Sequence, residues 1–142
     1  MSDAGPVRGV LVAHGTMASG LVDAVRHITG TGPDTLVPVS NSGLAPDVLA
    51  EHVRDAAGQG PNIIFTDLPS GSCGFAARLL ARDRPDSVVV CGVNLPMLLD
   101  FVTHRDLPLS ELVPRLLSRG RASIVSAPAG YEAHVDPAAA RG

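Results

Sequence analysis

Four short apolar runs divide the chain, and glycine or turn-forming residues bound them. A continuous apolar run of this kind is typical of a strand that is buried on both faces of a parallel sheet. Pro38 has no backbone N–H to donate, so the strand that contains it is predicted to lie at an edge of the sheet. The predicted strands are Val10–Ala13, Thr35–Val39, Asn62–Thr66 and Ser87–Val93.

Amphipathic segments follow the strands, with apolar residues at the three- and four-residue spacing of one helix face. Pro114 removes a backbone donor inside the last segment, so that helix should start late or kink. The alternation of strands and helices predicts an α/β fold with a doubly wound, mainly parallel four-stranded sheet flanked by helices. The predicted helices run from Thr16 to Gly30, from Pro46 to Gly58 or Gly60, through Phe75–Leu80 with Ser72 as N-cap, from Pro96 to Val102, and from Leu109 to Gly120.

The end of the chain is predicted to behave differently from the rest. Arg121–Ser126 has the composition of a short fifth strand, whereas residues 127–142 are rich in proline, alanine and glycine and are predicted to be a flexible tail. With 142 residues in all, the chain is long enough for one domain, which we place at residues 1–126.

Charge and composition exclude several classes of function. The net charge of −3 provides no basic stripe for nucleic acid. All 11 basic residues are arginine, so a P-loop lysine and a Schiff-base lysine are both excluded. Cys73 and Cys91 do not have metal-ligand spacing, and we expect two reduced thiols and no metal. Without a signal peptide or a membrane-spanning segment in the sequence, we expect a cytoplasmic protein that does not insert into the membrane.

Polar residues end two of the predicted strands at the edge where ligands bind in open α/β sheets. His14 follows the first strand and Asp67 follows the third. If these strands are neighbours, the carboxylate can accept from one ring nitrogen and leave the lone pair of the other free to attack. The alternatives are a structural histidine in a turn and an aspartate that caps its own loop.

The loop after Asp67 has the features of an anion site. Gly71 allows the backbone to approach closely, and Ser72 offers a hydroxyl where a helix begins. These features point to a phosphoryl group carried on His14. Cys73 suggests a thiol enzyme as an alternative, but the sequence places no histidine at an obvious partnering position, so a small buried residue is the simpler interpretation.

At these residues the chain resembles the IIA component of the mannose family of the bacterial phosphoenolpyruvate-dependent sugar phosphotransferase system. Three blocks carry the resemblance, which spans roughly residues 8–125: Gly9-Val-Leu-Val-Ala-His14-Gly15 with Ala18-x-Gly20-Leu21, Asp67 with Gly71-Ser72, and Gly92-Val-Asn94-Leu-Pro96-Met97-Leu98. The family loop usually reads Gly-Gly-Ser-Pro, whereas this chain has Ser70-Gly71-Ser72-Cys73.

The resemblance implies a phosphotransferase that works through a phosphohistidine and needs no metal or cofactor. His14 would accept phosphate on Nε2 from phospho-HPr and pass it to a IIB domain for sugar uptake, while Asp67 would orient the ring through Nδ1. The phosphoryl group would lie among Gly15, Thr16, Gly71 and Ser72. Partners would contact Asn94, Pro96 and Met97.

The resemblance also implies a homodimer in which Arg121–Ser126 joins the partner's sheet. Two alternatives to a transport role stay open: a regulatory phosphohistidine protein that is not coupled to transport, and a small-molecule-binding domain that has lost phosphorylation.

Overall fold

The computed structural model describes residues 5–131 as a parallel sheet between two layers of helices. All strand pairs are parallel, and the strand order is β2-β1-β3-β4. The α/β doubly wound fold is therefore confirmed. In chain order, the elements of the described part are β1 Arg8–Ala13, α1 Met17–Thr29, β2 Leu36–Ser40, α2 Pro46–Ala57, β3 Asn62–Thr66, α3 Gly71–Arg82, β4 Ser87–Cys91, α4 Leu95–Thr103 and α5 Leu109–Ala122.

The two central strands, β1 and β3, are adjacent and almost wholly buried. Their register pairs Val12 with Thr66, so both strands end at the same level of the sheet. β2 lies at one edge, as Pro38 predicted, because a residue without an N–H is tolerated in a strand that has a hydrogen-bonded partner on only one side. β4 is two residues shorter than predicted, since Gly92 takes a positive φ and leaves the strand direction.

Each face of the sheet carries its own apolar core. α1, α4 and α5 cover one face with aliphatic side chains and with Phe101, which makes an edge-to-face contact with Phe65 of β3. α2 and α3 cover the other face with smaller residues such as Ala76 and Ala77. Burial of each large side chain stabilises the fold by roughly 1.5–3 kcal/mol.

α5 corrects two predictions for the end of the chain. The helix starts at Leu109 and runs through Pro114, which excludes a late start and leaves a kink as the other expected effect of this proline. Gly120 lies inside the helix and does not end it. A Cβ on Gly120 would lie 2.7 Å from Cε of Met97, which shows how closely α5 packs on α4.

The predicted fifth strand, Arg121–Ser126, is also not found in this chain. Its first two residues complete α5, and the next four are outside any helix or strand. Most of the predicted tail, 127–142, lies outside the described residues. Among the helices of the part that is described, none is long and apolar enough to cross a membrane.

Candidate active site

His14 lies in the turn between β1 and α1, at the carboxyl edge of the sheet. β1 ends at Ala13, and the turn continues through Gly15, whose φ of +59° suits glycine. The carbonyl of His14 accepts from the N–H of Met17, the first residue of α1. The side chain of His14 is 45% exposed, so the imidazole is presented to solvent and is not part of the core.

Asp67 comes directly after β3, next to the turn that carries His14. Its Oδ2 lies 2.8 Å from Nδ1 of His14 and also accepts from the backbone N–H of His14 at 3.0 Å. Its Oδ1 accepts from the N–H of Leu68 at 3.0 Å. The carboxylate therefore fixes both the imidazole and its own loop, which combines the two roles considered from the sequence.

The electrostatics of this pair set the tautomer of the ring. Burial of Asp67 acts to raise its pKa, but hydrogen bonds from the backbone and ring of His14, the charge of that ring and the Leu68 amide together lower the pKa below its ordinary value. At neutral pH Asp67 is therefore an ionised acceptor. The proton shared with His14 is on Nδ1, and Nε2 keeps its lone pair.

The first turn of α3 lies beside Nε2. A Cβ placed on Gly71 would be 3.8 Å from both Nε2 and Cε1 of His14, and the φ of Gly71 is +87°. α3 starts at Gly71 with Ser70 as N-cap, so the predicted N-cap, Ser72, is instead in the first helical turn. The N-cap side chain makes no capping hydrogen bond. The amides and the positive dipole end of α3 thus face the region of Nε2.

A residue without a predicted role, Asn41, joins the two loops of the site. Its Oδ1 accepts from the N–H of Gly15 at 3.4 Å, and its Nδ2 donates to Oγ of Ser72 at 3.2 Å. The hydroxyl of Ser40 donates to the carbonyl of Gly15 at 2.8 Å. Asn41 directly follows β2, the neighbour of β1, and so lies at the carboxyl edge of the sheet. This position in the sequence could have identified it as a site residue.

Comparison with known proteins agrees with this arrangement. Residues 9–115 match the EIIA-man family model, described as the PTS system fructose IIA component. The chain belongs to this family. It is therefore a phosphotransfer component of the sugar phosphotransferase system. No curated protein sequence matches it significantly.

Solved structures share the IIA fold at low sequence identity. Phosphotransferase system component EIIA from Streptococcus agalactiae is 21% identical with a TM-score of 0.80, over 86% of this chain and 98% of that one. The mannose/sorbose-specific IIA subunit from Enterococcus faecalis is 22% identical with a TM-score of 0.74, over 86% and 95%. A sigma-54 interaction domain protein from Enterococcus faecalis is 13% identical with a TM-score of 0.67, over 84% and 94%.

The structure places the thiol of Cys73 next to the central histidine of this IIA protein. Its Sγ is 3.8 Å from Nδ1 of His14, so a histidine does neighbour the thiol, contrary to the expectation from sequence. Burial and the charge of Asp67 raise the pKa of the thiol, although a bond with Ser72 opposes this shift. Cys73 is therefore a neutral thiol at neutral pH, which argues against a thiolate nucleophile.

The third sequence block of the IIA protein has a structural role. The side chain of Asn94 caps α4 by accepting from the N–H of Met97 at 3.1 Å, and it donates to the carbonyl of Gly120 at 2.9 Å. Met97 is only 4% exposed in the single chain, so little of its side chain is available to a partner. Pro96 is half-buried in the first turn of α4.

Proposed function

We propose that this IIA protein accepts a phosphoryl group from phospho-HPr on Nε2 of His14 and passes it to a IIB domain. One observation carries the proposal: Asp67 engages Nδ1, while Nε2 lies beside Gly71 at the start of α3. In the first step the N–P bond of HPr breaks and the Nε2–P bond of His14 forms. The second step repeats the exchange with IIB as acceptor.

The surrounding groups match what each stage of transfer requires. As Nε2 bonds to phosphorus, positive charge develops on the imidazole, and the carboxylate of Asp67 stabilises it. The phosphoryl oxygens then carry negative charge, which the amides at the start of α3 can bind. Thr16, Gly15 and Ser72 lie in the turns that border this space and complete the proposed phosphoryl site.

We propose that three exposed apolar residues around the site form an apolar rim on which the partners dock. Met17, Leu68 and Phe75 are between 42% and 54% exposed, and each lies within three residues of a site residue. Large apolar side chains exposed together are typical of interaction sites. We assign the binding of HPr and IIB to this rim. Asn94 and Pro96, which follow β4 at the same carboxyl edge of the sheet, would border it.

The direct test is phosphorylation with phosphoenolpyruvate, enzyme I and HPr, followed by mass spectrometry under conditions that preserve phosphohistidine. We expect one phosphoryl group per chain on His14 and none in His14→Ala. His27→Ala is the matched control, because that histidine is also exposed but lies on α1. Equal labelling of His14→Ala and the unmodified protein would refute the assignment.

Docking on the apolar rim has a separate kinetic signature. Phe75→Ser should raise the KM for phospho-HPr more than it lowers kcat, because the side chain contacts the partner and not the reacting atoms. Ile28→Ser, at an exposed apolar position near the other end of α1, is the control. A fall in kcat alone would place Phe75 in the chemistry instead.

A regulatory function remains the second candidate. Its support is that a sigma-54 interaction domain protein has a similar fold, so the fold is compatible with both roles. Reconstitution with IIB and membrane components encoded near the gene separates them. Phosphorylated sugar as product supports transport, whereas labelled His14 without sugar product supports regulation.

We also propose that the protein works in the cytoplasm as a homodimer. The side chains of Ile124 and Val125, after the end of α5, are largely exposed in the single chain, as expected for a segment that a partner covers. Light scattering should give a dimer for the unmodified protein and a monomer for the double variant Ile124→Asp, Val125→Asp. A dimer in both would refute this interface.

A further inference from the structure

Cys73 has no task in the proposed transfer, although it lies next to its central residue. The side chain is fully buried in the first turn of α3, and its Sγ faces Nδ1 of His14 at 3.8 Å. Together with a carboxylate oxygen of Asp67, the donor atoms of these residues all lie within 4.8 Å of one another. Within the described residues, this cluster combines a sulfur, a nitrogen and an oxygen ligand.

The sulfur–nitrogen distance in this cluster suits a small thiophilic cation. With bonds of about 2.3 Å to sulfur and about 2.0 Å to nitrogen, tetrahedral zinc holds these two atoms about 3.6 Å apart. The observed 3.8 Å is close to this value. The nitrogen and oxygen, now 2.8 Å apart, would have to separate to about 3.3 Å. Such a shift is small for an imidazole that is nearly half exposed.

We propose that Cys73, His14 and Asp67 bind one thiophilic divalent cation of the zinc class, and that this cation competes with phosphorylation of His14. The competition with phosphorylation rests on the proposed function, whereas the binding of the cation does not. The thiolate and the carboxylate together neutralise the charge of a divalent cation. A water molecule would complete the tetrahedron as the fourth ligand.

The competition follows from the proton on the ring. In the metal-free protein Nδ1 carries the proton and Nε2 has the free lone pair. When Nδ1 binds the cation, the ring stays neutral by carrying its proton on Nε2 instead. The nitrogen that would attack phosphorus then has no lone pair available. The thiol proton of Cys73 is released to solvent as the metal–sulfur bond forms.

Zinc binding is measured first, without any phosphoryl donor. Calorimetric titration of the metal-free protein should give one Zn²⁺ per chain, and Mg²⁺, which prefers oxygen ligands, should not bind there. Since loss of even an outer-shell partner costs 10–100-fold, Cys73→Ser and Cys73→Ala should each weaken binding by at least about 100-fold. Cys91→Ser is the matched control, because Cys91 lies at the end of β4 outside the cluster.

Two results would overturn the metal site: no Zn²⁺ bound by the unmodified protein, or equal affinity in the Cys73 variants. The second would mean that the cysteine is only a small buried residue. Two substitutions are used, and circular dichroism checks that each variant folds. If one variant misfolds, the other decides the outcome.

Competition is then measured by single-turnover transfer from HPr that has already been phosphorylated. At a free Zn²⁺ concentration of 100 Kd, the rate for the unmodified protein should fall about 100-fold. The rate for Cys73→Ala should fall by no more than about twofold at this concentration, because its binding is at least about 100-fold weaker. A small effect also shows that HPr itself is not inhibited. Undiminished transfer to the zinc-bound protein would refute competition. Failure of the metal-free protein to accept phosphate would refute the proposed function, whereas the calorimetric result would stand.

Discussion

Replacing Asp67 by asparagine keeps the size of the side chain beside His14 but removes its charge. In the unmodified protein, Oδ2 of Asp67 accepts two hydrogen bonds, from the backbone N–H of His14 and from the protonated Nδ1, while Oδ1 accepts one from the N–H of Leu68. An amide has only one oxygen, so its NH₂ group must replace either Oδ2, where it meets both donors of His14, or Oδ1, where it meets the N–H of Leu68. If it faces Nδ1, the ring is driven into the tautomer with its proton on Nε2, which cannot attack phosphorus.

The separation of the pair sets the size of the effect. For unit charges 2.8 Å apart, Coulomb's law gives about 1.5 kcal/mol in water and about 6 kcal/mol at an effective dielectric constant of 20. The pair lies between these limits, because Asp67 is buried and His14 is half exposed. Each 1.4 kcal/mol is a factor of ten in rate, so Asp67→Asn should slow transfer by about 10- to 10⁴-fold. Asp67→Ala should fall in the same range.

The assay is single-turnover phosphorylation by phospho-HPr, with the labelled fraction followed by rapid quench. Asp55→Asn is the matched control, since this aspartate is exposed near the end of α2, away from the carboxyl edge of the sheet. Transfer within about threefold of the unmodified rate in Asp67→Asn would refute both the charge argument and the tautomer argument.

Three other predictions concern stability and space at named positions. Folding lowers the pKa of Asp67, so the stability that its carboxylate contributes should be fully present above the ordinary carboxyl pKa of 3.8 and be lost as the pH falls through the folded-state pKa. In urea unfolding, the free energy of unfolding of Asp67→Asn should therefore fall less steeply with acid than that of the unmodified protein. Gly9→Ala should lower the free energy of unfolding by about 1–3 kcal/mol, because its Cβ would lie 2.7 Å from the ring of Phe101, whereas Gly20→Ala, with no neighbour within 4 Å, should not destabilise the protein. Gly71→Ala should slow phosphorylation by about tenfold, since a methyl group would enter the space beside Nε2 at a backbone conformation that costs about 1–2 kcal/mol; an unchanged rate would show that the phosphoryl group lies elsewhere.

Part of the site was predictable because parallel strands place their carboxyl ends at one edge. Two apolar runs ending in His14 and Asp67 were sufficient to suggest the pair once their strands were assumed to be adjacent, and the pairing of Val12 with Thr66 confirms that they are. Asn41 was not predicted, because its bonds to Gly15 and Ser72 depend on how three loops meet.

Close packing was the second feature that the pattern could not reveal. Gly120 has the typical signature of a helix end, yet it lies inside α5 because only a residue without a side chain allows α5 to approach Met97. Met97 lies in a helix that was predicted, but it was expected at a partner surface, whereas its side chain turns inward and fills the core between helices. In both cases the contacts between elements override the local signal.

The sequence by itself determined the four strands of the sheet, the order of βα units and the two residues that follow β1 and β3, since these follow from local periodicity and chain direction. Only the tertiary structure decided which groups share the site. It placed Cys73 against His14 and aligned the start of α3 with Nε2, because distances between side chains from separate elements depend on how those elements pack.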